Sequence, residues 1–184
     1  MTVFRWLAIV LSGISALGAG EVHAALPLQS IVLGVTNLRP GYSVVTSTYR
    51  TQAFMARQFG VRAGQLTYYG WTSSYEALYV RHDANGLGEV GNKIDRYSSP
   101  AGAHWGYRVV VHNALCCGKY HTTAMPRVGD ESTAFLASTG ARGFIGIRFR
   151  QGAYVGSMAV LPGTKRASLL LLARILDQRI RAYG

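Results

Sequence analysis

From Val128 to Val160 apolar positions recur with the two-residue period of half-buried strands, interrupted by turn residues. Phe144 to Arg150 and Ala153 to Val160 flank Gln151-Gly152, a two-residue loop whose second member is glycine, and this predicts a β-hairpin. With that loop, Phe149 faces Tyr154, Ile147 faces Gly156 and Ile145 faces Met158. One face is then apolar, and Arg148 and Arg150 point the other way. Ser132 to Thr139 reads as a third strand leading into the hairpin. From Thr164 to Tyr183 the period lengthens to that of a helix, with Leu169, Leu172, Ala173, Leu176 and Ile180 on one stripe. Three strands and a covering helix form the nucleus of a layered domain.

Upstream, Leu26 to Leu38 is apolar and stops at Arg39-Pro40-Gly41, which suits a short helix or an edge strand. Tyr42 to Tyr49 alternates β-branched and aromatic residues with Ser and Thr, a strand pattern. Thr51 is placed to cap a helix over Gln52 to Phe59 that Gly60 closes. Gly64 to Arg81, dense in Tyr and Trp, predicts two strands or one long bulged strand. Aromatics at such positions serve core and cross-strand packing or form a stacking platform. His82 to Gly91 reads as a polar, glycine-rich connection, and Asn92 to Tyr97 as a short strand. Ser99-Pro100 opens a helix to about Leu115, with Trp105, Val109 and His112 on one side and Gly118 ending it. The fold class is therefore α+β: an antiparallel sheet with helices packed on it, in a two- or three-layer sandwich.

The first residues change the picture of where this domain works. Arg5, an apolar run from Trp6 to Ala19 and the small-x-small triplet Val22-His23-Ala24 have the form of a secretory signal cleaved after Ala24. The run is too short for a membrane span, and no later stretch is long and apolar enough for one. Residues 1–24 are expected to be the signal and 25–184 a single secreted or periplasmic domain. Removing the signal takes away one basic residue, Arg5, and one acidic, Glu21, so the net charge stays at +11. That excess suits an anionic partner such as an envelope polymer or nucleic acid, or serves solubility, since the bases are scattered singly.

Candidate chemistry is sparse. No Gly-x-Ser-x-Gly elbow, phosphate-binding glycine loop, His-Glu-x-x-His or Cys-x-x-Cys occurs. Asp130 and Glu131 are adjacent, so on a strand they face opposite ways and form no acid/base pair; Asp130 suits a turn role after Gly129. His112, Cys116, Cys117 and His121 are the candidate metal ligands, His112 and Cys116 being one helical turn apart. In an oxidising environment the two thiols pair with each other, with a second chain or with a metal. Adjacent helical side chains diverge by about 100°, so a Cys116–Cys117 bond requires leaving helical geometry, which Gly118 permits. An oxidised vicinal pair is expected, with zinc or copper through His112 and His121 as the alternative.

Pro40-Gly41-Tyr42, Asp95-Arg96-Tyr97-Ser98-Ser99, Ala101 to Tyr107, Val128 to Ser132, Arg148 to Gly152 and Leu172-Ala173-Arg174 resemble a set of secreted bacterial proteins. These are similar at fold level to PsbP-like and LpqN-type extracytoplasmic domains. The resemblance implies helices on an antiparallel sheet and a binding or accessory role with no catalytic residue set and no cofactor. Cys116-Cys117 departs from its pattern. The expected function is a secreted, non-catalytic binding or accessory domain for an unknown ligand or envelope component. The alternatives are a small hydrolase or nuclease, requiring two of His104, His112 and His121 to meet each other or Glu76 in a cleft, and a polyanion or nucleic-acid binder.

Overall fold

In the computed structural model, which describes residues 27–83, 86–116, 120–137, 143–161 and 166–183, seven strands form one antiparallel sheet. They are β1 (Ser43–Tyr49), β2 (Trp71–Asp83), β3 (Gly86–Tyr97), β4 (Tyr120–Thr123), β5 (Glu131–Ala137), β6 (Ile145–Gln151) and β7 (Tyr154–Leu161). Their spatial order is β1-β2-β3-β7-β6-β5-β4. Two meanders thus meet at the β3–β7 pair. The crossover between them is helix α4 (Pro100–Leu115), which carries the chain from the middle of the sheet to its far edge.

The predicted hairpin forms with its turn one residue later, at Gly152-Ala153, so that Gln151 pairs with Tyr154, Phe149 with Gly156 and Ile147 with Met158. The shift moves each partner by two positions, which preserves the face: Ile145, Ile147 and Phe149 are buried and Arg148 and Arg150 point oppositely. Two contacts fix this register. Gly156 lies under the Phe149 ring, where a Cβ would come within 2.3 Å of Cζ. Gly152, at φ +56°, donates its N–H to Asp130 Oδ2 at 2.9 Å.

The apolar face packs against α5 (Arg166–Tyr183) through Leu169, Leu172, Ala173, Leu176 and Ile180, the stripe predicted from the sequence. The N-terminal segment completes this layer as a short helix α1 (Leu28–Ile31) and a 3-10 turn at Val35–Asn37. Buried polar groups hold it there. Asn92 Oδ1 accepts the Leu33 N–H at 3.0 Å, Tyr79 Oη donates to Leu33 O at 2.7 Å, and Arg179 donates to Val32 O at 2.8 Å.

The opposite face carries α2 (Gln52–Phe59), α3 (Ala63–Tyr68) and α4. α2 has the expected ends: Thr51 accepts the Phe54 N–H, and Gly60 adopts the left-handed conformation. α3 corrects the reading of Gly64 onward as strand. Gln65 Oε1 accepts the Arg62 N–H at 2.9 Å, Leu66 is buried against Met55 and Phe59, and Tyr69 stacks on Trp105 at 4.1 Å. A local cap and tertiary burial outweigh the strand propensity of the Tyr residues. Strand β2 then runs with a bulge between Trp71 and Ser73. The glycine-rich stretch expected to be a connection is strand as well, because pairing with β2 extends to Asp83 opposite Gly86. α4 starts as expected, with Ser99 Oγ accepting the Gly102 N–H. Its buried face is Gly102, Ala103, Gly106 and Tyr107, whereas His112 is exposed. Gly106 seats directly on Tyr97, where a Cβ would lie 2.0 Å from the Tyr97 hydroxyl. The expected signal at residues 1–24, Cys117, Gly118 and residues 138–142 lie outside the described residues.

Candidate functional site: a trough on the helix-covered face

The strand register explains a depression between the sheet and the C-terminal halves of α2 and α4. Pairing lines up Phe135, Gly146, Ala159, Gly91 and Leu78 as one row across β5, β6, β7, β3 and β2. Three members in the middle have no side chain beyond Cβ, while Phe135 and Leu78 stand at the two ends. Four strand spacings separate those ends, about 19 Å. The floor is therefore low between two apolar walls. Phe59, Val110 and Phe144 also line it, and the whole forms a half-open, mainly apolar cavity of about 230 Å³.

Two residues along each strand lies a polar row: Arg148, Ser157, Lys93 and Glu76. Beyond it, under α4, comes Asp95, fully buried. Lys93, with 8% of its side chain exposed, places Nζ 3.2 Å from Asp95 Oδ2, donates to Gln58 Oε1 at 2.9 Å and lies 5.0 Å over the Phe59 ring. Burial pushes the Lys93 ammonium below the usual lysine range, and the charge of Asp95 opposes that shift. Arg148 is half-buried; desolvation lowers its pKa and the carboxylates of Asp95 and Glu76 oppose the change. Glu76 is engaged by Arg50, whose Nε donates to Oε2 at 2.9 Å. Ser157 is 3% exposed and its hydroxyl has no partner among the described residues. At the other end of the floor, Glu89 is 6% exposed and its carboxyl is raised by desolvation.

The residues singled out from the sequence fall elsewhere. His104 Nδ1 lies 2.8 Å from Glu131 Oε1 rather than near Glu76, and neither His112 nor His121 lines the cavity. Among the described residues no three His, Cys, Asp or Glu side chains group to hold a metal ion. Cys116 is exposed at the end of α4; its expected disulfide partner, Cys117, lies outside the described residues. Asp130 takes the predicted turn role. Contrary to the expectation that it and Glu131 diverge, both reach the Arg150 guanidinium, because Asp130 precedes the strand and Glu131 begins it. The trough residues escaped sequence reasoning because Gly91, Gly146 and Ala159 are far apart in the chain and only the register aligns them.

The architecture is that of an antiparallel α+β domain whose sheet is covered by helices on both faces. No family model matches the chain, and no curated protein matches it. Among solved structures, it is similar to the extracellular domain of PknH from Mycobacterium tuberculosis, with a TM-score of 0.59 at 8% sequence identity, over 83% of this chain and 94% of that one. At that identity the likeness is one of fold.

Proposed function

We propose that this chain is a secreted, extracytoplasmic binding or accessory domain without catalytic activity, and that its ligand lies in the trough. The signal-like pattern of residues 1–24 and the fold likeness to an extracellular domain support the location. Among the described residues no helix is long and apolar enough to cross a membrane. The trough itself carries the binding reading: a row of minimal side chains makes an apolar hollow, and beside it lie buried polar groups, one of them a serine hydroxyl without a partner among the described residues. Concave, mostly apolar sites with a few convergent polar groups are the form small-molecule sites take.

The test is to fill the hollow. A Cβ at Gly91 meets nothing closer than Leu78 Cδ1 at 3.8 Å, so Gly91→Leu projects into the cavity without striking the backbone. A neutral naphthyl fluorophore is expected to bind the native protein and to lose at least about tenfold in affinity in Gly91→Leu. Equal binding by the two proteins contradicts the site. Mass spectrometry of the exported chain tests the location, which requires an N-terminus at Ala25.

A further inference from the structure

We propose that the occupant of the trough is a small alkyl- or arylamine, bound as its ammonium, with its apolar body on the Gly146–Ala159–Gly91 floor and its charged head against the Glu89 carboxylate. This rests on the trough being a ligand site and adds the chemistry of the ligand. Three observations carry it.

The first is the isolation of Glu89. It lines the cavity, is 6% exposed, and its carboxylate makes no hydrogen bond or ion pair among the described residues. On the sheet it stands between Val80 and Leu161, so neither neighbouring strand offers a counter-charge at that position. Lys93 is four residues along the same strand, about 13 Å away, and its ammonium is held by Asp95 and Gln58. Burial raises the Glu89 carboxyl, and no neighbouring charge contributes to the shift. Buried charges are ordinarily paired. A ligand ammonium supplies that partner and donates N–H bonds to the carboxylate.

The second is the state of the other polar groups along the floor. Glu76 is bonded to Arg50, Arg148 is likewise engaged, and the Ser157 hydroxyl is enclosed by protein. Glu89 is therefore the group that a ligand is placed to satisfy. The third is size and lining. The cavity of about 230 Å³ is roughly one and a half times the ~150 Å³ apolar cavity that takes benzene. One ring or a short alkyl chain fits it. Phe59, Phe135 and Phe144 line it, and aromatic rings suit both an apolar body and an ammonium.

The experiment compares hexylammonium, hexanol and hexanoate on the intact protein by calorimetry at neutral pH. These probes share a tail and differ in the head. Hexylammonium is expected to bind at least about tenfold more tightly than hexanol, and Glu89→Gln to shrink that ratio to about threefold or less while leaving hexanol affinity unchanged. Glu89→Gln keeps the shape of the side chain and removes an unpaired buried charge, so the variant is expected to fold. Attraction to the +11 chain as a whole does not mimic this result, because it favours hexanoate over hexylammonium. Equal binding of hexylammonium and hexanol, or tighter binding of hexanoate, overturns the amine inference and leaves the trough as an apolar site. Hexylammonium binding that is unchanged in Glu89→Gln or in Gly91→Leu lies elsewhere on the protein and also overturns it. Binding of none of the three overturns it as well, and the naphthyl fluorophore then decides separately whether the trough is a site at all.

Discussion

Replacing Gly106 with alanine sets two effects of known size against each other. In an exposed helix interior Gly→Ala is stabilising by about 0.8–1 kcal/mol. Position 106 is not such a site. The added Cβ would lie 2.0 Å from the Tyr97 hydroxyl, 2.4 Å from its Cζ and 3.0 Å from Cε2, and Tyr97 is 2% exposed. Helix α4 must lift or the ring must turn in a filled core, an overpacking cost of about 1–3 kcal/mol. The net expectation is destabilisation by about 1 kcal/mol, or about 2 where the core yields least, a fall of about 2–8 °C in melting temperature for a chain of this size. Gly64→Ala supplies the control: it too is helical, in α3, but its Cβ meets nothing within 4 Å. It is expected to stabilise by about 0.5 kcal/mol. Urea denaturation followed by circular dichroism measures both. A Gly106→Ala protein as stable as Gly64→Ala would show that α4 does not rest on Tyr97, and with it that the wall of the trough is misplaced.

The same contact gives a second expectation. The Tyr97 hydroxyl is buried without a partner among the described residues, and its pKa is driven up by desolvation and by the Asp95 charge, so Tyr97→Phe is expected to raise stability by about 1 kcal/mol; a loss in denaturation refutes this. Asn92→Ala strands the Leu33 N–H in the core and is expected to cost about 1–3 kcal/mol, with hydrogen exchange faster over residues 28–38 than elsewhere. Two acids are expected to give opposite pH dependences. Burial alone would raise Glu131, but the hydrogen bonds and charges of His104 and Arg150 outweigh it and hold the folded pKa below the ordinary value; its stabilisation is present above the unfolded pKa and lost as pH falls through the folded one. Glu131→Gln therefore destabilises at neutral pH, and the difference disappears in acid. Glu89 is raised, so its charged form opposes folding above the folded pKa, and Glu89→Gln is expected to be more stable than the native protein at neutral pH, converging with it in acid. Melting temperatures across pH for both variants check the two signs.

Much of the architecture was legible where one segment decides its own structure. Thr51 and Gly60 bound α2, Ser99-Pro100 opens α4, and the Leu169 to Ile180 stripe covers the sheet, because caps and helical periodicity are local properties. The errors fell where partners decide. Residues 63–68 lead into a run of strand-like aromatics yet form a helix through the Gln65 cap and burial of Leu66, and residues 86–91 look like loop yet pair along β2. The candidate site was hidden more thoroughly. Gly91, Gly146 and Ala159 are unremarkable in sequence, and each gains meaning from neighbours on other strands. The histidines and cysteines drew attention because their chemistry is visible one residue at a time. The charged row was half visible: the hairpin placed Arg148 on the face opposite Ile147, but nothing local aligned it with Ser157 and Lys93.

An amide-resolved NMR titration of the protein with the neutral naphthyl fluorophore tests the trough most directly. The account predicts saturable shifts concentrated at Gly91, Gly146, Ser157 and Ala159, in the middle of the two rows, with α5 and the N-terminal segment on the opposite face unaffected. Shifts spread over the surface, with those four amides unmoved at saturation, would contradict it.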